Sequence, residues 1–299
     1  MVAKVSIVIP AYNRAKVIGE TLESVLNQTE ENFECLVVDD CSTDETTQIV
    51  AGFQRRDGRI HLIRNETNRG ACYSRNRGLE LAKGKFICFL DSDDLLDVNY
   101  LAAQCTTLDN FPDRGLAVCQ TLRFHGRVDN ADAVYGGLEP PITLARYLQC
   151  QISWSTASAL WRVPVVKKVG GFPLQLPMHQ DWELNARYLA SGGTVAITPK
   201  TLVYYRDQWE PQQITARNKN DRLRVFSLYK SRKMVFYYAL KMNSLKGDAR
   251  LALSPHFINL PSQLFKYRYY WQTFDSLFAS IYLSRHLYPL KKFMLEIIR

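Results

Sequence analysis

Short apolar runs alternate with amphipathic stretches over the first hundred residues. Val5-Ser6-Ile7-Val8-Ile9 is β-branched and reads as a strand that Pro10 ends. Ile18, Leu22, Val25 and Leu26 follow at i, i+4, i+7 and i+8, the stripe of an amphipathic helix. Cys35-Leu36-Val37-Val38 predicts a second buried strand, closing in Asp39-Asp40. Ser42 and Glu45 have the spacing of a capping box, and Ile49, Val50 and Phe53 give the next helix its apolar face. Ile60 to Ile63 predicts a third strand, residues 70–82 a third helix, and Phe86 to Leu90 a fourth strand. Strands and helices alternating at this spacing predict an α/β fold with a mostly parallel sheet.

The pattern loosens after residue 100. Leu116 to Cys119 and Ala157 to Trp161 predict strands, and 123–142 a polar, Gly- and Pro-containing excursion. Val163 to Val169 reads as a short helix closed by Gly170-Gly171. Asp181 to Ser191 predicts another helix, then Thr194 to Ile197 and Leu202 to Tyr205 two short strands.

Acidic residues gather where these strands end. Asp91, Asp93 and Asp94 follow the run Phe86 to Leu90 directly, and carboxylates this close repel one another unless a cation or donors stand nearby. Oxygen ligands of this kind suit Mg2+ or Mn2+, which commonly also hold a substrate's phosphates. In a parallel sheet the tips of the second and fourth strands share one edge, so Asp39, Asp40, Asp91 and Asp93 are expected to line one cleft. No G-x-G-x-x-G follows the first strand, no P-loop, G-x-S-x-G or H-E-x-x-H occurs, and those enzyme classes are set aside.

Charge divides the chain in two. Residues 216–299 hold 16 Lys and Arg against 4 Asp and Glu, whereas residues 1–215 hold 22 against 25. Aromatics interleave with the basic residues at Phe236-Tyr237-Tyr238 and Lys266-Tyr267-Arg268-Tyr269-Tyr270-Trp271. Leu290, Phe293, Met294, Ile297 and Ile298 form a helical stripe with Lys291, Lys292 and Arg299 off it, which suits an anionic membrane surface. The alternative is a helical appendage with a solvated basic face. No nucleic-acid recognition module is present. Seven scattered cysteines, no signal-peptide pattern and no spanning apolar stretch lead us to expect a cytoplasmic protein, peripheral on the membrane.

Five segments combine into a resemblance: Val5 to Arg14, Val37 to Asp44, Asn68-Arg69-Gly70, Arg75-Asn76, and Leu90 to Asp94. In this order and spacing they resemble the family 2 glycosyltransferases. The resemblance covers about residues 4–215 and implies a GT-A fold, a central sheet flanked by helices. A Rossmann-like nucleotide-binding half would span about 1–100, an acceptor-binding half 101–215, and the basic, aromatic helical extension 216–299. It implies inverting transfer of one sugar from a nucleotide-sugar donor, a UDP-sugar first, to a glycan or lipid-linked acceptor with a divalent metal, Mn2+ or Mg2+. Q-x-x-R-W, the mark of processive synthases, is absent.

By position, Pro10, Ala11 and Tyr12 would meet the nucleoside, and Asp40 would accept from the pyrimidine imide N–H or else cap the next helix. Asp39 would be structural. Gly70 would let the backbone approach the diphosphate, with Arg75 supporting it or standing as a plain surface charge. Asp91 would face ribose and metal, Asp93 would ligate the metal, and Asp94 would cap the following turn. His179-Gln180-Asp181-Trp182 resembles the family's acid-Asp-Trp segment and makes Asp181 the general base, with Glu183 as alternative. Trp154 and Trp182 are acceptor-side candidates, Trp154 also fitting a core position. Tyr205-Arg206 is followed by Asp207 and Gln208, so the family's His ligand is missing there. Two other classes compete: an inactive GT-A-like scaffold and a nucleotidyltransferase.

Overall fold

The computed structural model describes residues 3–207, 221–258, 260–284 and 289. Its first half follows the predicted alternation. β1 (Val5–Ala11), α1 (Ile18–Leu26), β2 (Phe33–Asp39), α2 (Thr46–Arg56), β3 (Ile60–Arg64), α3 (Ala71–Leu81) and β4 (Phe86–Phe89) succeed one another. Then come β5 (Leu95–Leu96), α4 (Tyr100–Asn110), β6 (Leu116–Phe124), β7 (Ala133–Tyr135), α5 (Leu144–Leu148) and β8 (Ala159–Arg162). α6 (Val163–Lys168), α7 (Gln180–Ala190) and β9 (Val195–Arg206) follow. The C-terminal region is helical: α8 (Asp221–Lys241), α9 (Gly247–Leu253), α10 (Pro255–Ile258), α11 (Leu260–Lys266) and α12 (Tyr270–Ser284).

The strands form one mixed sheet in the order β3-β2-β1-β4-β8-β6-β9-β5, with β7 on β6. β1, β2, β3 and β4 run parallel, β8 is antiparallel to both β4 and β6, and β6 and β9 are parallel. The predicted parallel character thus holds for β1 to β4 and for β6 with β9, and the rest of the sheet is antiparallel. β1 and β2 are buried at every position, as strands covered on both faces must be. Ile7 and Ile9 share a core with Ile18, Leu22 and Val25 of α1. α3 lies close to β1: a Cβ at Gly78 would stand 2.3 Å from Val8 Cγ1, so this helical position admits only glycine.

Several details depart from the sequence reading. Pro10 stays inside β1, paired with Val38. Val8, of the same parity, is the last β1 residue to pair with β4, so the missing N–H of Pro10 faces a side where the ladder has ended. Ser42 does not cap α2. Its Oγ accepts the Asn13 N–H at 3.0 Å, and Asp44 receives the Thr46 N–H at 3.0 Å instead. The two short strands expected at 194–205 are one strand, β9, with register irregularities opposite Cys119 to Thr121. β5 and α4 were not expected.

The described chain forms two compact units. The first comprises 1–140, 153–174 and 194–209; the second 141–152, 175–193 and 210–299. α5 and α7 group with the C-terminal helices, whereas the sequence reading divides the chain near residue 215. The helical stripe of residues 290–298, and Gln208, lie outside the described residues.

Candidate active site

In the first unit, the register of the parallel strands brings three tips to one edge. Ala11 pairs with Asp39, and β4 ends beside Val8, so Tyr12-Asn13-Arg14, Asp40 and Asp91 to Asp94 all emerge there. Pro10 and Ala11 are buried and shape the floor, leaving Tyr12 as the accessible member of that trio. Asn13, at φ 53°, turns the chain sharply, and its Oδ1 accepts the Thr43 N–H at 2.9 Å. The loops after β1 and β2 are thereby knitted together.

Asp40 is buried and holds the next loop. Its Oδ1 accepts from Asn65 Nδ2 at 2.7 Å and from the Arg69 N–H at 3.0 Å. Its Oδ2 accepts from the Gly70 N–H at 2.7 Å and from Arg69 at 3.1 Å. Three donors thus hold the carboxylate, the Arg69 N–H being shared between its two oxygens. The helix-capping alternative drops out, because α2 begins at Thr46 without it. Gly70 needs its glycine: φ is 87°, which L side chains rarely adopt. Asp39, fully buried, accepts the Ser42 N–H at 3.1 Å and serves the turn.

The acidic run is braced by three arginines. Arg75, on the buried face of α3, brings Nη2 to 2.5 Å from Asp91 Oδ1 and stacks over the Phe172 ring. It is no plain surface charge. Arg14 Nε stands 4.0 Å from Asp93 Oδ2. Arg206, at the end of β9, donates from Nε to the Asp93 carbonyl at 2.8 Å and from its backbone N–H to Asp94 Oδ1 at 3.0 Å. Its Nη2 reaches Glu20 at 2.7 Å. Asp94 is buried, and burial, then repulsion from Asp93 and Asp91, raises its pKa well above the ordinary carboxylate value. It joins the acidic loop to β9 rather than capping the following turn.

Asp91 and Asp93 keep partly exposed carboxylates. Among the described residues no three His, Cys, Asp or Glu side chains converge as a metal cage. Mg2+ and Mn2+ in phosphate sites take one or two carboxylates and complete their shell with water and substrate phosphates, and Asp91 and Asp93 offer two such carboxylates. Burial is the larger cause of the raised Asp94 pKa, and a cation at Asp91 and Asp93 would relieve the smaller one, the neighbouring negative charge. The residues present therefore fit the metal.

In the second unit, Asp181 opens α7 and is partly exposed, its Oδ1 accepting the Trp182 N–H at 2.8 Å. His179 precedes it in the left-handed conformation, φ 63°. Glu183 is fully buried and gripped by Arg187 at 2.9 and 2.8 Å, so this alternative carboxylate is already committed. Trp182 packs against Tyr147 and His256, and the Arg232 guanidinium sits 3.7 Å from its ring centroid. Burial lowers the Arg232 pKa to about 10 and the His256 pKa to about 4. Trp154, in the first unit, is only 3% exposed, and the sugar-stacking expectation gives way to a core role.

The sequence reading overlooked Arg14, Arg206 and Arg232, which contact residues of the candidate site. Arg14 stood within a quoted motif, but nothing local marks an arginine that acts on a strand 79 positions away. Arg206 was noted only as the neighbour of a missing His.

The glycosyl transferase family 2 model matches residues 6–164. The chain is similar to the Escherichia coli UDP-Glc:alpha-D-GlcNAc-diphosphoundecaprenol beta-1,3-glucosyltransferase WfgD, 45% identical over 104 residues. That stretch makes up 35% of this chain and 40% of WfgD. In two other curated relatives it covers 36% and 32% of their length, so the chain spans about a third of such proteins. The crystal structure of S. aureus TarS 1-349 in complex with UDP-GlcNAc superposes with a TM-score of 0.60 at 20% identity, over 87% of this chain and 81% of that one. The mannosyltransferase PcManGT from Pyrobaculum calidifontis, in complex with GDP-Man and Mn2+, gives 0.57 at 18% identity, over 99% and 85%. These likenesses establish the GT-A fold. With the family's model matching more than half of its length, the chain belongs to glycosyl transferase family 2.

Proposed function

We propose that the protein transfers a single sugar, with inversion, from a UDP-sugar to a lipid-linked glycan acceptor. The observation that carries this reading is the strand-tip pair Asp91 and Asp93, braced by Arg75, Arg14 and Arg206. WfgD, by its name, uses UDP-Glc and a diphosphoundecaprenol acceptor, and this supports the choice of donor and acceptor class. Asp91 and Asp93 would hold Mn2+ or Mg2+, which supplies charge neutralisation for a diphosphate leaving group.

The chain's own residues divide the remaining work. Tyr12 lines the nucleoside side. Asp40 recognises the nucleotide through the loop it holds, setting the Arg69 and Gly70 backbone that approaches the diphosphate. Arg75 keeps Asp91 ionised and oriented while adding positive charge near the phosphates. Asp181 is the general base: as the acceptor oxygen attacks the anomeric carbon, the bond to the diphosphate oxygen breaks and that oxygen keeps the electron pair. The hydroxyl proton passes to the Asp181 carboxylate.

The test is release of free UDP from UDP-sugars in the presence of a polyprenyl-diphosphate-linked monosaccharide and Mn2+. Nuclear magnetic resonance of the product should show an anomeric configuration opposite to the donor's. A retained configuration would remove Asp181 from its role. Absence of acceptor-dependent UDP release with every UDP-sugar would favour a non-catalytic scaffold.

A further inference from the structure

Helix α12 is amphipathic in the opposite sense to an ordinary surface helix. Its buried side carries Thr273, Ser276, Ala279 and Ser280 beside Leu277 and Leu283. Its outer side carries Tyr270, Phe274, Phe278 and Tyr282 at strict i+4 spacing, with Trp271 alongside. Trp271 is 85% exposed, Phe278 72%, Tyr282 57% and Phe274 56%. A continuous aromatic ridge facing water is costly, and the small residues on the buried side pack too closely for the helix to turn the ridge inward without overpacking.

The composition of the ridge points to its partner. Trp and Tyr are the side chains that settle at a membrane's headgroup level, where a ring meets hydrocarbon and a polar tip meets water, and Phe supplies the apolar face that an interfacial helix buries at the acyl boundary. The charge is complementary as well: residues 221–284 hold 10 Lys and Arg against 3 Asp and Glu, with Lys266 ending α11 and Arg268 in the turn before α12. No described helix is long and apolar enough to cross a membrane. A helix lying in the interface needs no such length.

We propose that the aromatic ridge of α12 is the docking face of this protein on an anionic lipid bilayer. This deepens the lipid-linked acceptor reading, on which it rests. It does not depend on the tail residues 290–298.

The experiment is co-sedimentation with vesicles of phosphatidylethanolamine and phosphatidylglycerol, and with neutral phosphatidylcholine vesicles, at low and high salt. Wild-type protein should bind the phosphatidylglycerol vesicles, more weakly as salt rises, with a blue shift of tryptophan fluorescence. A Trp271→Ser, Phe274→Ser, Phe278→Ser variant should lose binding at least tenfold while melting at the wild-type temperature, since all three side chains are exposed. Its UDP affinity in Mn2+ should be unchanged, which separates docking from the donor site. Wild-type protein that ignores anionic vesicles overturns the proposal, as does a triple variant that still binds them. A wild-type dimer in sedimentation velocity that the triple variant converts to monomer, without vesicle binding, also overturns it and assigns the ridge to a second copy.

Discussion

Arg75 Nη2 lies 2.5 Å from Asp91 Oδ1, with the arginine buried and the carboxylate a third exposed. A buried cation answering a half-open anion orients Asp91 without closing it to a ligand. Arg75→Met should leave Asp91 without its main countercharge and displace it from the working geometry. The expected outcome is a fall of roughly 100-fold in kcat/KM for the UDP-sugar, equal to about 2.7 kcal/mol of transition-state stabilisation. Steady-state kinetics reads it, and Arg75→Lys should recover only part, because a point charge does not replace the planar fork.

Arg206 makes a different kind of contribution. It binds the Asp93 carbonyl, the Asp94 carboxylate and Glu20 at once, so it fixes the acidic loop to the end of β9. Arg206→Met keeps the backbone bond to Asp94 but strips the other two. Stability should drop by about 1–3 kcal/mol, read from denaturant unfolding, because Arg206 is almost fully buried and the Asp93 carbonyl loses its donor, while Glu20, 58% exposed, is solvated instead.

Asp181 and Glu183 are two residues apart and should behave oppositely. Asp181→Asn is expected to lower kcat by roughly 100- to 10,000-fold with UDP affinity unchanged. Glu183→Gln removes one partner of a buried ion pair with Arg187 and should cost about 3–5 kcal/mol of stability. Unfolding curves and kinetics on the pair separate chemistry from structure.

His256 donates from Nε2 to the Leu148 carbonyl, and burial, then the Arg232 charge, pushes its pKa down to about 4. Burial, with Arg232 and Arg224, lowers His179 likewise to about 4. Unfolded histidine titrates near 6.5, so below that pH the unfolded chain binds protons that the folded chain does not. The stability these neutral histidines contribute is present above pH about 6.5 and is lost as pH falls toward 4. His256→Gln, which keeps a donor for Leu148, should flatten the melting-temperature decline between pH 6.5 and 4 relative to wild type.

The sequence exposed the N-terminal half because the relevant signals there are local. β1, β2 and β4 are each a short apolar run, and the tips of β2 and β4 carry the acids. Arg206 was invisible because its partners lie more than a hundred positions away, and no periodicity encodes such a contact. Ser42 misled because the capping-box spacing was met, while Asp44 lay nearer the first helical N–H groups. The α12 ridge was visible as aromatic content, but which side of the helix faces water follows only from packing. The grouping of α7 with the C-terminal helices likewise depends on contacts rather than on composition.

The most direct measurement of the donor site is calorimetric titration with UDP in Mn2+, in EDTA, and with Asp93→Asn in Mn2+. UDP should bind wild-type protein in Mn2+, and affinity should fall at least tenfold in EDTA and in Asp93→Asn, an isosteric change at a side chain that keeps 17% exposure and should leave the melting temperature near wild type. Equal UDP affinity in all three titrations, or none in any, would contradict a metal-assisted UDP-sugar site at Asp91 and Asp93.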